Sequence, residues 1–167
     1  MGMSVADDAR RDYLDCMTAK ASTKKSGKVS TATPSFKLSA VIPAPRKKVY
    51  AGWLDAKTHG AFTGSKATIQ GKVGGRFTAW DGYISGKTIE LKPSRLIVQS
   101  WRTTEFPADA PDSRLELRFE DAATGTRVTL IHSALPPAQA ASYKSGWRDF
   151  YFTPMRAWFS KTKPVVD

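Results

Sequence analysis

Three short strands are predicted between Gly74 and Trp101, in the stretch GGRFTAWDGYISGKTIELKPSRLIVQSW. This stretch is rich in β-branched and aromatic residues, which pack well on a pleated surface. Turn residues interrupt it twice, at Asp81-Gly82, which favours a tight hairpin, and at Lys92-Pro93-Ser94. The predicted strands are Arg76–Trp80, Tyr83–Leu91 and Arg95–Trp101. Their order along the chain indicates an antiparallel meander.

Gly86 lies inside the second of these strands. Because glycine has no side chain to pack, this position predicts a bulge or a bend. In the third strand Leu96 and Val98 share one face. Ile97 and Trp101 share the other face, which predicts a strand that is covered on both sides, at least locally. A meander cannot bury its apolar face alone, so another element must cover it.

The remaining segments supply further strands and the first helices. Strands are predicted at Phe36–Ile42, Lys66–Gln70, Ser113–Asp121 and Thr126–His132, and short helices at Arg46–Leu54 and Ala56–Phe62. The strand at Ser113–Asp121 is the clearest, because its apolar and charged residues alternate strictly. Between it and the meander lies a loop from Thr103 to Ser113, and loops of this length are often functional.

A long C-terminal helix is predicted from Ala138 to Phe159. Its aromatic stripe has spacings of 4, 4, 3 and 4 and consists of Tyr143, Trp147, Tyr151, Pro154 and Trp158. A proline inside a helix removes one backbone hydrogen bond, so Pro154 predicts a bend near Phe150 to Thr153. Such a stripe is typical of a helix that lies across a curved sheet.

The length of 167 residues predicts one domain with a tail. Residues 1–33 supply only +2 of the formal charge of +11, and much of this segment is rich in Ser, Thr and Lys. A segment with so little to bury is predicted to be a flexible N-terminal tail. The other +9 lies on the rest of the chain. A basic surface favours acidic proteins, anionic membranes or nucleic acid, although it can also serve only solubility.

Several function classes find no support in the sequence. No apolar run is long enough to span a bilayer, and the basic run Arg46-Lys47-Lys48 lacks interleaved aromatic residues, so neither a membrane span nor a nucleic-acid partner is predicted. No metal or cofactor is predicted, because Cys16 is the only cysteine and His59 and His132 stand in no ligand-spaced motif. A single cysteine is consistent with a reducing, cytoplasmic compartment. No nucleophile stands beside a base, which favours a protein that is not an enzyme.

Three segments carry a resemblance to a known family: FTGSKATIQGKVGGRFTAWDGYISGKTIELKPSRLIVQSWR at Phe62–Arg102, TRVTLIHSALP at Thr126–Pro136 and GWRDFYFTPMRAWF at Gly146–Phe159. The chain resembles the AHSA-type family, the activators of heat-shock protein 90 ATPase, within the START-like (SRPBCC) superfamily. The match is strongest to the co-chaperone's C-terminal domain. The resemblance implies an α+β helix-grip fold over residues 34–163, in which a curved antiparallel sheet wraps a long C-terminal helix and two short helices follow the first strand.

The resemblance leaves two functions open. The first is an interaction module whose basic surface binds a heat-shock protein 90 type chaperone. It would be a stand-alone domain, since the co-chaperone's separate N-terminal domain has no counterpart in residues 1–33. The second is a carrier of a small hydrophobic ligand, held in a cavity under the helix. The candidate cavity residues are Trp80, Trp101, Phe119, His132, Trp147 and Tyr151. For His132 two interpretations remain: a hydrogen-bonded core residue, or a polar contact to a ligand.

Overall fold

The computed structural model describes residues 34–161, so the predicted tail at 1–33 lies outside the described part. The domain boundaries at 34 and 163 stay a prediction. The strands are β1 (Phe36–Ile42), β2 (Thr68–Ile69), β3 (Arg76–Ala79), β4 (Ile84–Lys92), β5 (Leu96–Thr103), β6 (Ser113–Ala122) and β7 (Gly125–Ser133). The helices are α1 (Arg46–Leu54), α2 (Ala56–Thr63), α3 (Ala140–Trp147) and α4 (Thr153–Lys161), with a π turn (Arg148–Phe152) joining α3 to α4.

The strands form one antiparallel sheet in the order β1-β7-β6-β5-β4-β3-β2. The register aligns the apolar positions of neighbouring strands, so that Leu117 faces Ile97 on one side and Leu130 on the other. All three side chains are fully buried. The predicted curved sheet, the long C-terminal helix and the two short helices after the first strand are therefore confirmed.

The pair Gly74-Gly75 forms a bulge that joins the start of β3 to β4. The Gly74 N–H donates to the Thr88 carbonyl (2.8 Å), and the Thr88 N–H donates to the Gly75 carbonyl (2.9 Å). Gly74 has a φ of +82°, as the first residue of a glycine bulge requires. A Cβ on Gly75 would collide with the Gln70 carbonyl oxygen. The double glycine is thus required by backbone geometry.

Of the bulge or bend predicted at Gly86, the bulge is wrong in its position. The register of β4 against β5 shifts between Thr88 and Glu90. Gly86 instead permits a close approach, because a Cβ there would collide with the Ser100 carbonyl oxygen and the Phe77 ring. A glycine inside a strand pattern can indicate a bulge or a close approach of another chain segment. Which of the two is present depends on the neighbouring strand.

The first predicted hairpin is longer than two residues. β3 ends at Ala79, and Trp80 and Asp81 both adopt left-handed φ angles of 54° and 55° before Gly82 at 89°. Trp80 is therefore not the last residue of a strand, as predicted, but part of the turn. Its side chain is nevertheless buried, because the turn folds it back beneath the C-terminal helix, where its ring lies 6.2 Å from that of Phe150.

The helix pair α1–α2 matches its prediction closely. The Asp55 carboxylate caps α2 by accepting a hydrogen bond from the Thr58 N–H at 2.9 Å. Gly64, with a φ of 73°, ends the helix in the left-handed conformation. Trp53 of α1 and Phe62 of α2 are both buried, so the pair covers one end of the sheet's apolar face.

The C-terminal helix differs from its prediction in one respect. Pro154 lies in the first turn of α4, directly after the π turn, in which the Thr153 N–H donates to the Arg148 carbonyl five residues back. The extra residue of this turn rotates the following helix. Met155 and Phe159 become fully buried, whereas Pro154 and Trp158, predicted on the stripe, are only half-buried.

Candidate functional site

The six predicted cavity residues are all buried, with exposed fractions of 3% or less. They are contributed by the turn after β3 (Trp80), β5 (Trp101), β6 (Phe119), β7 (His132), α3 (Trp147) and the π turn (Tyr151). Five of them join one series of ring contacts. Phe119 lies apart from that series and packs edge-on against Tyr50, with 5.5 Å between the ring centroids. The role of these residues as ligand contacts stays a prediction.

Trp147 lies at the centre of the aromatic cluster. Its ring centroid is 5.6 Å from that of Trp101, 5.8 Å from His132 and 4.6 Å from Tyr151. Trp80 extends the cluster and lies 6.3 Å from Tyr151. Tilted and edge-on ring pairs of this kind add to the stabilisation that comes from burying their apolar area. These rings occupy the space between the sheet and the C-terminal helix.

His132 connects the helix to the sheet through two hydrogen bonds. Its Nδ1 accepts from the Trp147 Nε1–H at 3.0 Å, and its Nε2 lies 2.7 Å from the Ser113 Oγ. The Ser113 hydroxyl in turn donates to the Trp101 carbonyl at 2.7 Å. Because the only proton of the Ser113 hydroxyl is donated to the carbonyl, the hydroxyl oxygen must accept a hydrogen bond from the His132 Nε2–H. The ring is therefore a neutral imidazole with its proton on Nε2.

Burial of His132 lowers its pKa to about 3. Its charged form is disfavoured because the ring is fully buried and both nitrogens already have neutral hydrogen-bond partners. A ring in this state cannot exchange a proton near neutral pH. Of the two interpretations of His132, the hydrogen-bonded core residue is the one that the geometry supports.

A second buried histidine lies at the other end of the cluster. The His59 Nδ1–H donates to the Trp53 carbonyl at 3.0 Å, so its Nε2 accepts from the Tyr151 hydroxyl at 3.1 Å. Burial lowers the pKa of His59 to about 4. Burial also raises the pKa of Tyr151, and a hydrogen bond from Trp80 partly offsets that effect. The His59 ring is therefore also neutral, with both nitrogens hydrogen-bonded.

The cluster includes residues that were not predicted for the site. Trp53 packs 5.2 Å from Tyr151 and donates from Nε1 to the Gln99 Oε1 at 3.3 Å. Gln99 then donates from Nε2 to the Thr88 hydroxyl at 3.2 Å. One signal could have identified Gln99, since it occupies an inward position of β5, between Ile97 and Trp101. A polar side chain at such a position needs a buried partner.

The loop after β5 folds around Arg102. The guanidinium donates to the Asp112 carboxylate at 2.8 Å and to the carbonyl oxygens of Ala110 (3.1 Å) and Pro107 (3.2 Å). It also lies 5.4 Å from the centroid of the Phe106 ring. Phe106 is only 5% exposed and packs 6.1 Å from Trp101. The predicted surface loop thus places an aromatic ring over one end of the cluster.

Hydrogen bonds fasten this loop to the turn before β4 and to the start of α3, and a further bond joins α3 to β5. The Tyr83 hydroxyl donates to the Glu105 carboxylate at 2.6 Å, and the Gln139 side-chain amide donates to the Glu105 carbonyl at 2.8 Å. The Tyr143 hydroxyl donates to the Gln139 Oε1 at 2.6 Å and lies 2.7 Å from the Thr103 hydroxyl. Burial is the main cause that raises the pKa of both tyrosines. They act as fixed hydrogen-bond donors.

The opposite, outer face of the sheet carries charged side chains and two depressions. One, of about 630 Å³, has charges of both signs along β4, β5 and β6 and includes the edge of Phe119. The other, of about 330 Å³, lies over β3, β4 and β5 between Arg76 and Lys87. A third depression of about 270 Å³ lies beside Trp158 of α4. Of the six predicted cavity residues, only Phe119 borders any of these three.

Between residues 34 and 161, no group of three or more His, Cys, Asp or Glu side chains is arranged to hold a metal ion. None of the helices in this part of the chain is long and apolar enough to cross a membrane.

Comparison with known proteins identifies a family model that matches residues 43–160. Its description is "Activator of Hsp90 ATPase homolog 1-like protein". Among curated relatives, the human "Activator of 90 kDa heat shock protein ATPase homolog 1" is 29% identical over 99 residues, which cover 59% of this chain and 29% of the human protein. Homolog 2 from Mus musculus is 31% identical over 91 residues, which cover 54% of this chain and 27% of the mouse protein.

A solved structure supports the fold independently. A Plasmodium falciparum protein, described as an HSP90 activator, superposes with a TM-score of 0.69 at 22% identity. The superposition covers 75% of this chain and 96% of that protein. By contrast, the chain spans less than a third of the human and mouse relatives that it matches.

Proposed function

The chain belongs to the family described as activator of Hsp90 ATPase homolog 1-like proteins, and from this we propose that it is an interaction module that binds an Hsp90-type chaperone. The match of the family model to residues 43–160 carries the proposal. It spans β2 to β7 and reaches from α1 into α4, so the family and this chain share most of the described domain. The proposal includes a cytoplasmic location, because a lone cysteine forms no internal disulfide.

The state of the interior supports a function on the outer surface. The buried rings contact one another, and the buried histidines are neutral with both nitrogens hydrogen-bonded. Neither histidine is available for acid–base chemistry, so we assign the domain a binding role and no catalytic step. The exterior, in contrast, carries most of the charge of +11, which favours association with an acidic partner.

The proposal is tested by measuring binding and ATPase stimulation separately. Purified chaperone from the same source is titrated with the full chain by calorimetry, and its ATPase rate is measured with and without the chain. We expect direct binding of the chain to the chaperone. Stimulation of the ATPase is measured as a separate readout, because the chain covers less than a third of the relatives named as activators. A Kd on the order of 50 μM would already be a weak interaction. If no binding is detected at that concentration of the chain, the proposal is contradicted.

A second candidate function is the binding of a small hydrophobic ligand inside the domain. The observation that favours it is the position of Phe106, which covers one end of the aromatic cluster. The contacts that Arg102 and Glu105 make to hold this loop are partly accessible to solvent. Opening of this loop would give access to Trp101 and Trp147.

The ligand candidate is tested by thermal unfolding in the presence of a panel of lipophilic compounds. A ligand at 100 times its Kd should add about 2.7 kcal/mol to the free energy of unfolding. Phe106→Ala should enlarge the effect of the same ligand by creating space at the entrance. If no compound shifts the unfolding temperature of either protein, this candidate is wrong.

A further inference from the structure

Two cations of the outer sheet face stand directly opposite each other. Arg76 of β3 pairs in register with Lys87 of β4, and both side chains are exposed. Like charges directly opposite on neighbouring strands destabilise a sheet. The ion pairs found among residues 34–161 join Arg46 to Asp121, Arg102 to Asp112, and Arg114 and Arg118 to Glu116. None of these pairs involves Arg76 or Lys87.

A small depression lies beside the two cations. Its volume is about 330 Å³, and it is lined by Arg76, Phe77, Thr78, Ser85, Gly86, Lys87, Ser100 and Asp112. Gly86 contributes no side chain, and the Ser85 hydroxyl can donate a hydrogen bond. The other two lining hydroxyls are already engaged, Thr78 with Thr68 at 2.6 Å and Ser100 with the Lys87 backbone. The single carboxylate, Asp112, is already paired with Arg102 at 2.8 Å. The depression therefore combines uncompensated positive charge with a hydrogen-bond donor.

The positive row continues across the sheet. Ser100 of β5 accepts a hydrogen bond from the Lys87 backbone N–H at 2.9 Å, and it stands in register with Arg114 of β6. Arg114 is paired with Glu116 at 3.2 Å, so its charge is partly compensated. The row from Arg76 to Arg114 thus crosses four strands. The two carboxylates beside it, Asp112 and Glu116, are already paired with arginines.

We propose that this face, defined by Arg76, Lys87 and the depression beside them, binds a carboxylate-bearing segment of a protein partner. A carboxylate seated there would form a forked bond with the Arg76 guanidinium and a second ion pair with Lys87. It would also remove the repulsion between the two cations. The inference rests on the proposed chaperone-binding function and adds the surface and the chemistry of the contact.

Protein carboxylates fit this face better than a nucleic-acid strand does. Single-stranded nucleic acid is bound by cations together with exposed aromatic rings on which bases stack. The one aromatic residue of the depression is Phe77, which is only 6% exposed because its ring points to the inner face. Without an exposed stacking surface, charge and hydrogen bonding to acidic side chains are what the site offers.

The first experiment uses a decaglutamate peptide as the probe and the full chain as the receptor. Binding is measured by calorimetry at low ionic strength for the wild type, for Arg76→Gln/Lys87→Gln and for Lys144→Gln/Arg148→Gln. The second pair is the matched control, because both residues are exposed and lie on α3 and the π turn, on the other side of the sheet. Both variants lose the same formal charge.

We expect the Arg76/Lys87 variant to bind decaglutamate about tenfold more weakly, and the control less than about twofold more weakly. Added salt should reduce the binding of the wild type more than that of the Arg76/Lys87 variant. The Arg76/Lys87 variant should also unfold at an unchanged or higher urea concentration, because a repulsive pair has been removed. Equal weakening in both variants, or no binding of decaglutamate by the wild type, would overturn the proposal.

Two further arms separate this inference from its alternatives. Tighter binding of a single-stranded RNA oligonucleotide than of decaglutamate, dependent on the same two residues, would overturn it in favour of nucleic acid. The same three proteins are then titrated into the chaperone. If the wild type binds decaglutamate through the pair but not the chaperone, the proposed function fails and the acidic-segment site stands. If the chaperone binds both variants as tightly as the wild type, the site is wrong and the function stands.

Discussion

Two buried histidines make the folded state sensitive to acid. His132 and His59 are neutral in the fold, with pKa values lowered by burial to about 3 and about 4. In the unfolded chain a histidine titrates at about 6.5. Between these values the unfolded chain binds more protons than the folded one, so stability is complete above about pH 6.5 and falls as the pH is lowered towards 4.

We predict that the free energy of unfolding decreases by about 4 kcal/mol between pH 7 and pH 5, about 2 kcal/mol for each histidine. Urea denaturation at a series of pH values measures this change. The variant His132→Gln should be less stable at pH 7, because it breaks buried hydrogen bonds, but its loss between pH 7 and 5 should be about half as large. A wild type that is equally stable at pH 7 and 5 would show that the rings are solvated or charged in the fold.

The glycine bulge predicts a difference between two adjacent substitutions. Gly74→Ala places a Cβ in open space but keeps a left-handed φ of 82°, so it should cost about 1 kcal/mol. Gly75→Ala drives a Cβ into the Gln70 carbonyl oxygen, so β3 must shift and the cost should be at least twice as large. Urea denaturation of both variants measures the two costs. Equal costs would mean that the bulge rearranges freely.

At the level of elements, the C-terminal helix shows how one extra residue sets a packing face. Tyr143, Trp147, Tyr151, Met155 and Phe159 recur at every fourth position, and none is more than 1% exposed. A regular α-helix turns about 100° per residue, so a strict repeat of four drifts by about 40° at each step. The π turn inserts one residue and compensates most of the accumulated drift.

The rotation of α4 that the π turn produces predicts different losses of stability for truncating two neighbouring aromatic residues of α4. Phe159→Ala should destabilise the protein by about 3–5 kcal/mol, because the ring is 1% exposed and packs 6.2 Å from Phe62. Trp158→Ala should cost about 1 kcal/mol, because the larger ring is only half-buried. Chemical denaturation of both variants provides the measurement. A larger loss of stability for Trp158→Ala than for Phe159→Ala would mean that Trp158 faces the core, as the spacing in the sequence predicted.

At the level of the whole molecule, one core joins every layer of the described chain. Trp53 from α1 contacts both Trp147 and Tyr151, while Trp101 from β5 contacts Trp147 from the other side. No element therefore has a separate core of its own. We predict a single cooperative unfolding transition, in which tryptophan fluorescence and far-ultraviolet circular dichroism report the same midpoint within about 1 °C. Separate midpoints would mean that the C-terminal helix unfolds on its own.

Much of the fold was predictable because its signals are local. The alternation in β6, the Asp55 cap and Gly64 stop of α2, and the aromatic spacing of the last helix each depend on residues a few positions apart. The candidate site was predictable only in part. Burial of the six residues agrees with their inward placement, but the sequence did not identify Trp53, Gln99 or the partners of His132.

The amino-acid sequence alone was sufficient to predict the order of the strands and helices, the apolar face of β6 and the family. The tertiary structure decided which polar groups meet, because the bonded partners are distant in the chain: Trp53 and Gln99 are 46 residues apart, and His59 and Tyr151 are 92 apart. It also decided the phase of α4 and the juxtaposition of Arg76 with Lys87. Such pairings depend on strand register and helix rotation, which only the packed chain sets.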